Sequence, residues 1–138
     1  MRNEINLRLG AHPIGGNRSS FLVWAPSAYM VDVHFIKPID RYVRLTRVGK
    51  GYHTGIVENA PVGSRYFYRL NDSVELPDPA SRYQPDGVHA ASEVVDQCFE
   101  WTDDSWRGLC LDDFVIYELH VGTFSTEGTF GGVIKDLN

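Results

Sequence analysis

The sequence predicts an all-β fold for residues 1–76, an antiparallel β-sandwich with an immunoglobulin-like architecture. Three observations support this prediction. Short runs of aromatic and β-branched residues recur along the region, with turn residues between them at intervals of about 8–12 positions. Apolar and polar side chains alternate within several runs, as expected of a strand that buries one face. Hydrophobic residues make up 43% of the 138-residue chain, which is enough for a packed core.

Each predicted strand has its own signal. The run 21–24 is apolar and ends before Pro26, because proline lacks the N–H that a sheet requires. The run 31–35 alternates three apolar residues with Asp32 and His34, so we expect a half-buried strand whose polar side chains face solvent. Further strands are predicted at 5–9, 42–46, 52–57 and 66–70.

Composition and charge exclude several classes of partner. The net charge is −5 and the lysines and arginines are scattered, which argues against nucleic acid as a partner. No run approaches the roughly 20 apolar residues of a membrane span. No secretory signal is recognisable, so we expect a cytoplasmic protein in which Cys98 and Cys110 are reduced. We predict no metal site and no cofactor. The histidines expected at the surface or in loops are His12, His34, His53 and His89.

Residues 77–112 differ in character from the strands before them. The stretch 76–92 contains three prolines and one glycine and has neither helical nor strand periodicity, which predicts an extended, ordered loop. Loops of this length commonly serve a function or cross between domains. We therefore expect residues 77–112 to be an interdomain segment that packs on the sandwich.

The remaining residues, 113–138, predict a strand followed by a helix. The run 113–124 is largely apolar and is expected to be a buried strand. Thr129 is placed to cap a helix, since its hydroxyl can accept a bond from a free backbone N–H. The apolar residues at helical spacing are Phe130, Val133, Ile134 and Leu137. A strand followed by a helix opens a βα unit whose parallel partner strand is not in this sequence, so we expect the front piece of a longer protein.

Several of these segments together resemble one enzyme family. Phe21–Pro26, Gly51–Tyr52 and Arg65–Tyr68 are similar to the N-terminal early-set sandwich of the α-amylase superfamily, which includes the branching and debranching enzymes. Asp78–His89 and Val115–Phe124 resemble, more narrowly, segments of the malto-oligosyltrehalose trehalohydrolases.

The resemblance implies a particular domain order. It implies an early-set sandwich over residues 1–76, the interdomain segment over 77–112, and over 113–138 the first strand and part of the first helix of a truncated (β/α)₈ barrel. It also implies a contact between the sandwich and the missing catalytic barrel.

The resemblance further implies an N-terminal fragment of a glycoside hydrolase that releases trehalose from maltooligosyl-trehalose. Members of the superfamily carry their two catalytic carboxyl groups on later barrel strands. No residue here matches those motifs, so we assign no catalytic residue and expect the chain to be inactive alone. The implied partner of the longer protein is an α-1,4-glucan or maltooligosyl-trehalose. Two alternatives remain open: a non-catalytic module that binds α-glucans such as starch or glycogen, and the N-terminal domain of a branching or debranching enzyme.

Two groups of residues are candidate substrate-binding residues. Glu118 and His120 share one face of the predicted strand, where polar groups need hydrogen-bonding partners or water. They either contact substrate near the barrel mouth or brace neighbouring strands.

The second group consists of aromatic residues, because sugars stack their C–H faces on aromatic rings. These residues either form a platform for an α-glucan or fill the sandwich core. They are Trp24, Tyr52, Tyr66 and Tyr68.

Overall fold

The structure is a computed structural model that describes residues 8–137. It divides into two compact units, the first ending at Phe99 and the second beginning at Glu100. The strands of the first unit are β1 (Gly10–Gly15), β2 (Arg18–Trp24), β3 (Val31–Lys37), β4 (Arg41–Arg44), β5 (Thr46–Gly49), β6 (Tyr52–Val57), β7 (Arg65–Leu70), β8 (Val74–Leu76) and β9 (Ser92–Glu93). The helices of the second unit are α1 (Val121–Phe124) and α2 (Phe130–Asp136), and a 3₁₀ turn lies at Leu111–Asp113.

The strands form two antiparallel sheets. The first sheet has the order β1-β2-β6-β5, and the second has the order β4-β3-β7-β8, with β9 also paired to β7. Both central pairings join strands that are distant in sequence, since Phe21 lies opposite Gly55 and Val33 lies opposite Tyr68. The predicted antiparallel sandwich is therefore confirmed. The predicted strands that form are those at 21–24, 31–35, 52–57 and 66–70.

Aromatic side chains fill the space between the two sheets. Phe21 of β2 makes edge-to-face contacts with Phe35 of β3 and Tyr66 of β7, with ring centroids 5.7 and 5.1 Å apart. Tyr66 also makes an edge contact with Tyr68 at 5.7 Å. All four rings are buried. Because the rings come from both sheets, these contacts hold the sheets together.

The run 42–46 does not form the single strand that its alternation predicts. Its first part is in β4 of the second sheet, and Thr46 begins β5 of the first sheet. Leu45, between them, donates its N–H to the carbonyl of Val31 at 2.9 Å, and its side chain joins the core. A Cβ on Gly55 of β6 would lie 3.0 Å from Leu45 Cδ2, so glycine makes room for this side chain. The chain therefore crosses between the sheets at one buried residue.

Two strands, β1 and β8, are not predicted by the sequence pattern. β1 contains two glycines and Pro13, which are depleted in strands, but it lies at a sheet edge where a proline is tolerated. β8 has only three residues, all exposed. The strand predicted at 5–9 falls mostly on residues 1–7, which lie outside the described residues.

Asp32 and His34 of β3 are buried, so the expectation that they face solvent is wrong. Asp32 is 2% exposed because Arg44 of β4 and Arg69 of β7 both donate to its carboxylate, Arg69 at 3.0 Å. Burial acts to raise the pKa of Asp32, but the hydrogen bonds from the two arginines outweigh it and lower the pKa. His34 is covered by Tyr42, with ring centroids 4.1 Å apart. Neighbouring strands thus cover a face that alternation alone predicts to be solvated.

His53 of β6 is fully buried, so the expectation of a surface or loop position is wrong for this histidine as well. Burial lowers the pKa of His53, because an imidazolium loses its hydration in the interior. The neutral imidazole is therefore the form that the folded sandwich accommodates.

We expect the free energy of unfolding to decrease as the pH is lowered below about 6.5, the ordinary pKa of a histidine in an unfolded chain. In that range the unfolded chain takes up a proton at His53, whereas the folded chain does so only at its lower folded pKa. Chemical denaturation of the His53→Leu variant between pH 7 and pH 5 should show a shallower decrease than the unaltered chain. The matched control is His89→Leu, which removes an exposed loop histidine. Equal slopes in all three proteins would contradict the assignment.

Buried hydrogen bonds hold the segment after β8 against the sandwich. Asp78 accepts a bond from the Tyr66 hydroxyl at 2.6 Å and another from the Ala80 N–H at 2.8 Å. Its own N–H donates to Ser92 Oγ at 3.0 Å. Burial raises the pKa of both Asp78 and Tyr66. The division between the two units falls further along, inside the segment 77–112.

The strand predicted at 113–124 does not form. Residues 114–120 belong to no helix or strand, and the next four form α1. Although the backbone at Phe114 and His120 is extended, a strand needs hydrogen bonds from a partner, and no described residues pair with this segment. Val115 is accordingly 96% exposed rather than buried.

The predicted helix start is confirmed. The Thr129 hydroxyl accepts a hydrogen bond from the Gly132 N–H at 3.1 Å, which makes it the N-cap of α2. Val133 is buried, whereas Phe130 and Ile134 of the same apolar stripe are exposed.

Three further observations concern the described residues as a whole. None of their helices has the length and apolarity needed to cross a membrane. No group of three or more His, Cys, Asp or Glu side chains among them is arranged to hold a metal ion. Cys98 and Cys110 are free and exposed.

Candidate functional site

Two of the predicted platform residues lie side by side on the outer face of the first sheet. Trp24 ends β2, Tyr52 begins β6, and the two are cross-strand partners. Because Phe21 and Val23 join the core, strand alternation directs Leu22 and Trp24 to the opposite face. Trp24 remains 55% exposed, so its ring is accessible to a ligand.

The loop between β5 and β6 holds the Trp24 ring in place. Lys50 has a φ of 50°, and its carbonyl accepts a hydrogen bond from the indole Nε1 at 3.0 Å. Gly51 has a φ of 82°, and a Cβ there would lie 2.7 Å from the Cα of Pro26. Its carbonyl accepts a bond from the Ala25 N–H at 2.8 Å. Only glycine permits this close approach, so the Lys50–Gly51 turn positions the indole.

Two open grooves share residues on this face. The larger has a volume of about 460 Å³ and is lined by Leu9, Leu22, Val48, Gly49, Lys50 and Tyr52. The smaller has a volume of about 190 Å³ and is lined by Leu9, Leu22, Val23, Trp24, Asp78, Pro79 and Ala80. Because Leu9 and Leu22 line both grooves, Trp24 and Tyr52 lie along one largely apolar surface. We call this surface the Trp24–Tyr52 face.

The Trp24–Tyr52 face is suited to binding rather than to bond cleavage. Its aromatic and aliphatic side chains offer stacking and hydrophobic contact, and the Lys50 ammonium group can donate hydrogen bonds. Among the residues that line the two grooves, Asp78 carries the one carboxylate, and this carboxylate is buried and bonded to Tyr66. Glycosidic cleavage of the type used by retaining and inverting hydrolases requires a pair of carboxyl groups.

Tyr66 and Tyr68, the other two aromatic residues predicted to form the platform, are not accessible to a ligand. They are 1% and 2% exposed and lie between the sheets, so they fill the core, as the alternative interpretation proposed. Both residues face inward because they alternate on β7 with Arg65, Phe67 and Arg69.

Glu118 and His120 lie in the second unit, where the strand face that they were predicted to share is not formed. Both residues are exposed. His120 precedes α1, and its Nδ1 lies 3.2 Å from Thr123 Oγ1. A role for either residue in substrate binding stays a prediction.

Sequence reasoning missed the aliphatic and polar neighbours of the two exposed aromatic residues. Leu22 could have been found from its alternation with Phe21 and Val23. Lys50 carries no comparable signal, because its contribution depends on a left-handed backbone conformation and on the position of its carbonyl.

The sequence is similar to several malto-oligosyltrehalose trehalohydrolases and 1,4-α-glucan branching enzymes. It is 49% identical over 120 residues to a malto-oligosyltrehalose trehalohydrolase of Saccharolobus solfataricus, covering 86% of this chain and 21% of that protein. It is 42% identical over 138 residues to the trehalohydrolase of Deinococcus radiodurans, covering 99% of this chain and 22% of that protein. A 1,4-α-glucan branching enzyme of Albidiferax ferrireducens is 35% identical over 133 residues, covering 85% of this chain and 21% of that protein. No protein-family profile matches the sequence.

Solved structures agree with this similarity. A putative α-amylase from Salmonella typhimurium superposes with a TM-score of 0.83 at 33% identity, covering 94% of this chain and 22% of that one. A pullulanase from Anoxybacillus sp., solved in complex with maltotetraose, superposes with a TM-score of 0.55 at 28% identity, covering 64% of this chain and 14% of that one.

The chain thus spans about a fifth of the length of the curated relatives that it matches. Over nearly all of its residues it is similar in sequence to the trehalohydrolases, and it has the sandwich fold found in α-amylase-type enzymes. The chain therefore corresponds to the N-terminal part of the malto-oligosyltrehalose trehalohydrolases, and its sandwich has the fold found in α-amylase-type enzymes.

Proposed function

We propose that this chain is the N-terminal segment of a cytoplasmic glycoside hydrolase that releases trehalose from maltooligosyl-trehalose. In this proposal the sandwich contacts and supports a catalytic barrel, and the carboxyl groups that cut the glycosidic bond belong to that barrel. The chain alone binds but does not hydrolyse.

The observation that carries the proposal is the 42% identity to the Deinococcus trehalohydrolase over 138 residues, which extends through both units. The second unit adds physical support. Val115, Ile116 and Phe130 are more than 70% exposed, which is unusual for large apolar side chains. A barrel that packs on this segment would bury them.

The test is a chimera in which this chain replaces the matching segment of the Deinococcus enzyme. We expect the chimera to release trehalose from maltotriosyl-trehalose with kcat/KM within about tenfold of that of the parent, because a well-matched segment preserves the barrel contacts. The 138-residue chain assayed alone should release none.

The matched control carries the corresponding segment of the Albidiferax branching enzyme in the same parent. If the branching-enzyme segment restores trehalose release equally well, then trehalose release does not depend on which of the two enzymes supplies the N-terminal segment. The branching-enzyme alternative would be supported if this chain gave a folded but inactive trehalohydrolase chimera and yet preserved branch formation in amylose when placed in the Albidiferax branching enzyme.

A further inference from the structure

We propose that the tip of the loop between Asp78 and Ser92 docks into an apolar pocket of the catalytic barrel of the longer protein. We define the loop tip as residues 86–89. In this proposal Val88 is the side chain that enters the pocket. The identity of the partner rests on the proposed function, whereas the docking element itself rests on the geometry of the first unit.

The base of this loop is closed and buried. The Asp78 N–H donates to Ser92 Oγ at 3.0 Å, and both residues are buried. On one flank of the loop, the Arg82 guanidinium donates to the carbonyl of Ala11 in β1 at 2.9 Å. Because β1 belongs to the first sheet and Ser92 begins β9 of the second, the loop is fastened to both sheets. Compact surface loops with joined ends frequently carry function.

Two side chains fix the loop tip itself. Gln84 Nε2 donates to the carbonyls of Val88 and Ala90, at 2.9 and 3.2 Å. One amide group therefore holds the backbone on both sides of the residue between them. Arg65 of β7 forms an ion pair with Asp86, with Nη1 and Oδ2 2.7 Å apart. A loop tip that is ordered in advance loses little conformational entropy when it docks.

The loop tip contributes little to the sandwich that holds it. Val88 is 72% exposed, and the other three residues of the tip are exposed as well. A single exposed valine is ordinary on a protein surface. This valine, however, lies on a backbone that is fixed from both sides, and fixing a backbone costs conformational entropy that buried side chains normally offset. Since the tip buries so little, we infer that its order serves a contact outside the sandwich.

The small size of the loop tip indicates a partner within the same polypeptide. A stable contact between separate proteins buries about 1,200–2,000 Å², far more than one valine and its neighbours can supply. A domain that is joined to the sandwich by the chain is held at a high effective concentration, so a small contact is sufficient. The chain spans about a fifth of the length of its curated relatives, and in the proposed function the catalytic barrel lies in the remainder.

The experiment compares amide hydrogen exchange of residues 86–90 in the chimera with the Deinococcus enzyme and in the 138-residue chain. We expect exchange at these positions to be about tenfold slower in the chimera, because the barrel covers the loop tip. Val88→Asp in the chimera should return the exchange rate to that of the isolated chain, since an unpaired carboxylate is costly to bury in an apolar pocket. Val88→Ala should have a smaller effect.

Val62→Asp is the matched control, because Val62 is an exposed valine in the connection between β6 and β7. It should leave exchange of the loop tip in the chimera unchanged, and near-UV circular dichroism should show that every variant folds. The proposal is overturned if the loop tip exchanges equally fast in the folded chimera and in the isolated chain, or if Val88→Asp leaves the slower exchange intact. Protection in the isolated chain that increases with its concentration would assign the loop tip to a second copy, and this too would overturn the proposal.

Trehalose release, measured on the same chimera, separates this proposal from the proposed function. If the chimera releases trehalose but its loop tip is not protected, the docking element is refuted while the proposed function stands. If the folded chimera is inactive but its loop tip is protected and Val88→Asp removes the protection, the docking element stands and the proposed function fails.

Discussion

Phe21→Ala should lower the free energy of unfolding of the sandwich by about 3–5 kcal/mol, the range for removing a buried phenylalanine ring. Phe21 is 1% exposed and makes edge-to-face contacts with Phe35 and Tyr66 of the opposite sheet. The cavity would therefore open at the interface between the sheets, where rings from both sides lose their partner. Since whole domains are typically stable by about 5–15 kcal/mol, such a loss removes a large share of the total stability.

Urea denaturation followed by amide hydrogen exchange in β2, β3 and β6 measures this effect. Phe21→Leu should show a smaller loss, because leucine refills part of the volume. Ile56→Ala is the matched control, since Ile56 lies on β6 but is exposed. A loss below about 1 kcal/mol for Phe21→Ala would contradict the proposed core.

Asp78→Ala should have the second-largest effect, because it leaves the buried Tyr66 hydroxyl and the partly buried Ala80 N–H without their acceptor. The Tyr66 hydroxyl and the Ala80 N–H both donate to the Asp78 carboxylate, and each buried group left unpaired costs about 1–3 kcal/mol. The variant should also release the segment that follows β8, which faster amide exchange and proteolysis near residues 79–94 would report.

Asp78→Asn separates hydrogen bonding from charge. The amide oxygen can still accept from a donor, and the neutral group avoids the cost of burying a carboxylate. Burial raises the folded-state pKa of Asp78, so the folded chain binds this proton more tightly than the unfolded chain does. The contribution of Asp78 to stability is therefore largest at low pH and is lost as the pH rises from the unfolded pKa near 3.8 through the folded value.

Asp78→Asn should remove this part of the pH dependence and retain most of the stability that Asp78→Ala loses at pH 7. Denaturation of both variants at pH 3.5 and pH 7 tests this. Equal destabilisation by the two substitutions at pH 7 would show that the hydrogen bonds to Tyr66 and Ala80 are not what matters at this position.

The strands that could be predicted are those whose local pattern agrees with their environment in the fold. β2, β3, β6 and β7 are rich in aromatic or β-branched residues and occupy the centres of the two sheets. β1 carries two glycines and a proline at an edge, so its pairing is decided by its neighbour β2 rather than by its own residues. The alternation through residues 42–46 conceals the change of sheet, because a period of two does not reveal which partner a strand pairs with.

Burial was harder to predict than secondary structure. Asp32 and His34 read as solvated residues because nothing local indicates that Arg44, Arg69 and Tyr42 will cover them. The segment 113–124 reads as a buried strand because it is apolar, but pairing is a property of two segments and cannot be inferred from one.

The candidate site likewise combines features that local sequence indicates with features that depend on long-range pairing. Residue type made Trp24 and Tyr52 candidates for sugar stacking, but Tyr66 and Tyr68 were candidates on the same ground and lie in the core. The register that places Trp24 opposite Tyr52 separates the two exposed rings from the two buried ones, and this register follows from the long-range pairing of β2 with β6.

The passage of the chain from one sheet to the other at Leu45 has a consequence for assembly. Both sheets are built around pairings between distant segments. The edge strands β4 and β5 belong to different sheets and are separated by one residue, Leu45. Because the chain joins the two sheets at this point, we expect the folding nucleus to contain residues of both sheets. The entropy of closing two large loops would then be lost before most native contacts form, so we expect this sandwich to fold slowly and cooperatively, on the millisecond-to-second scale.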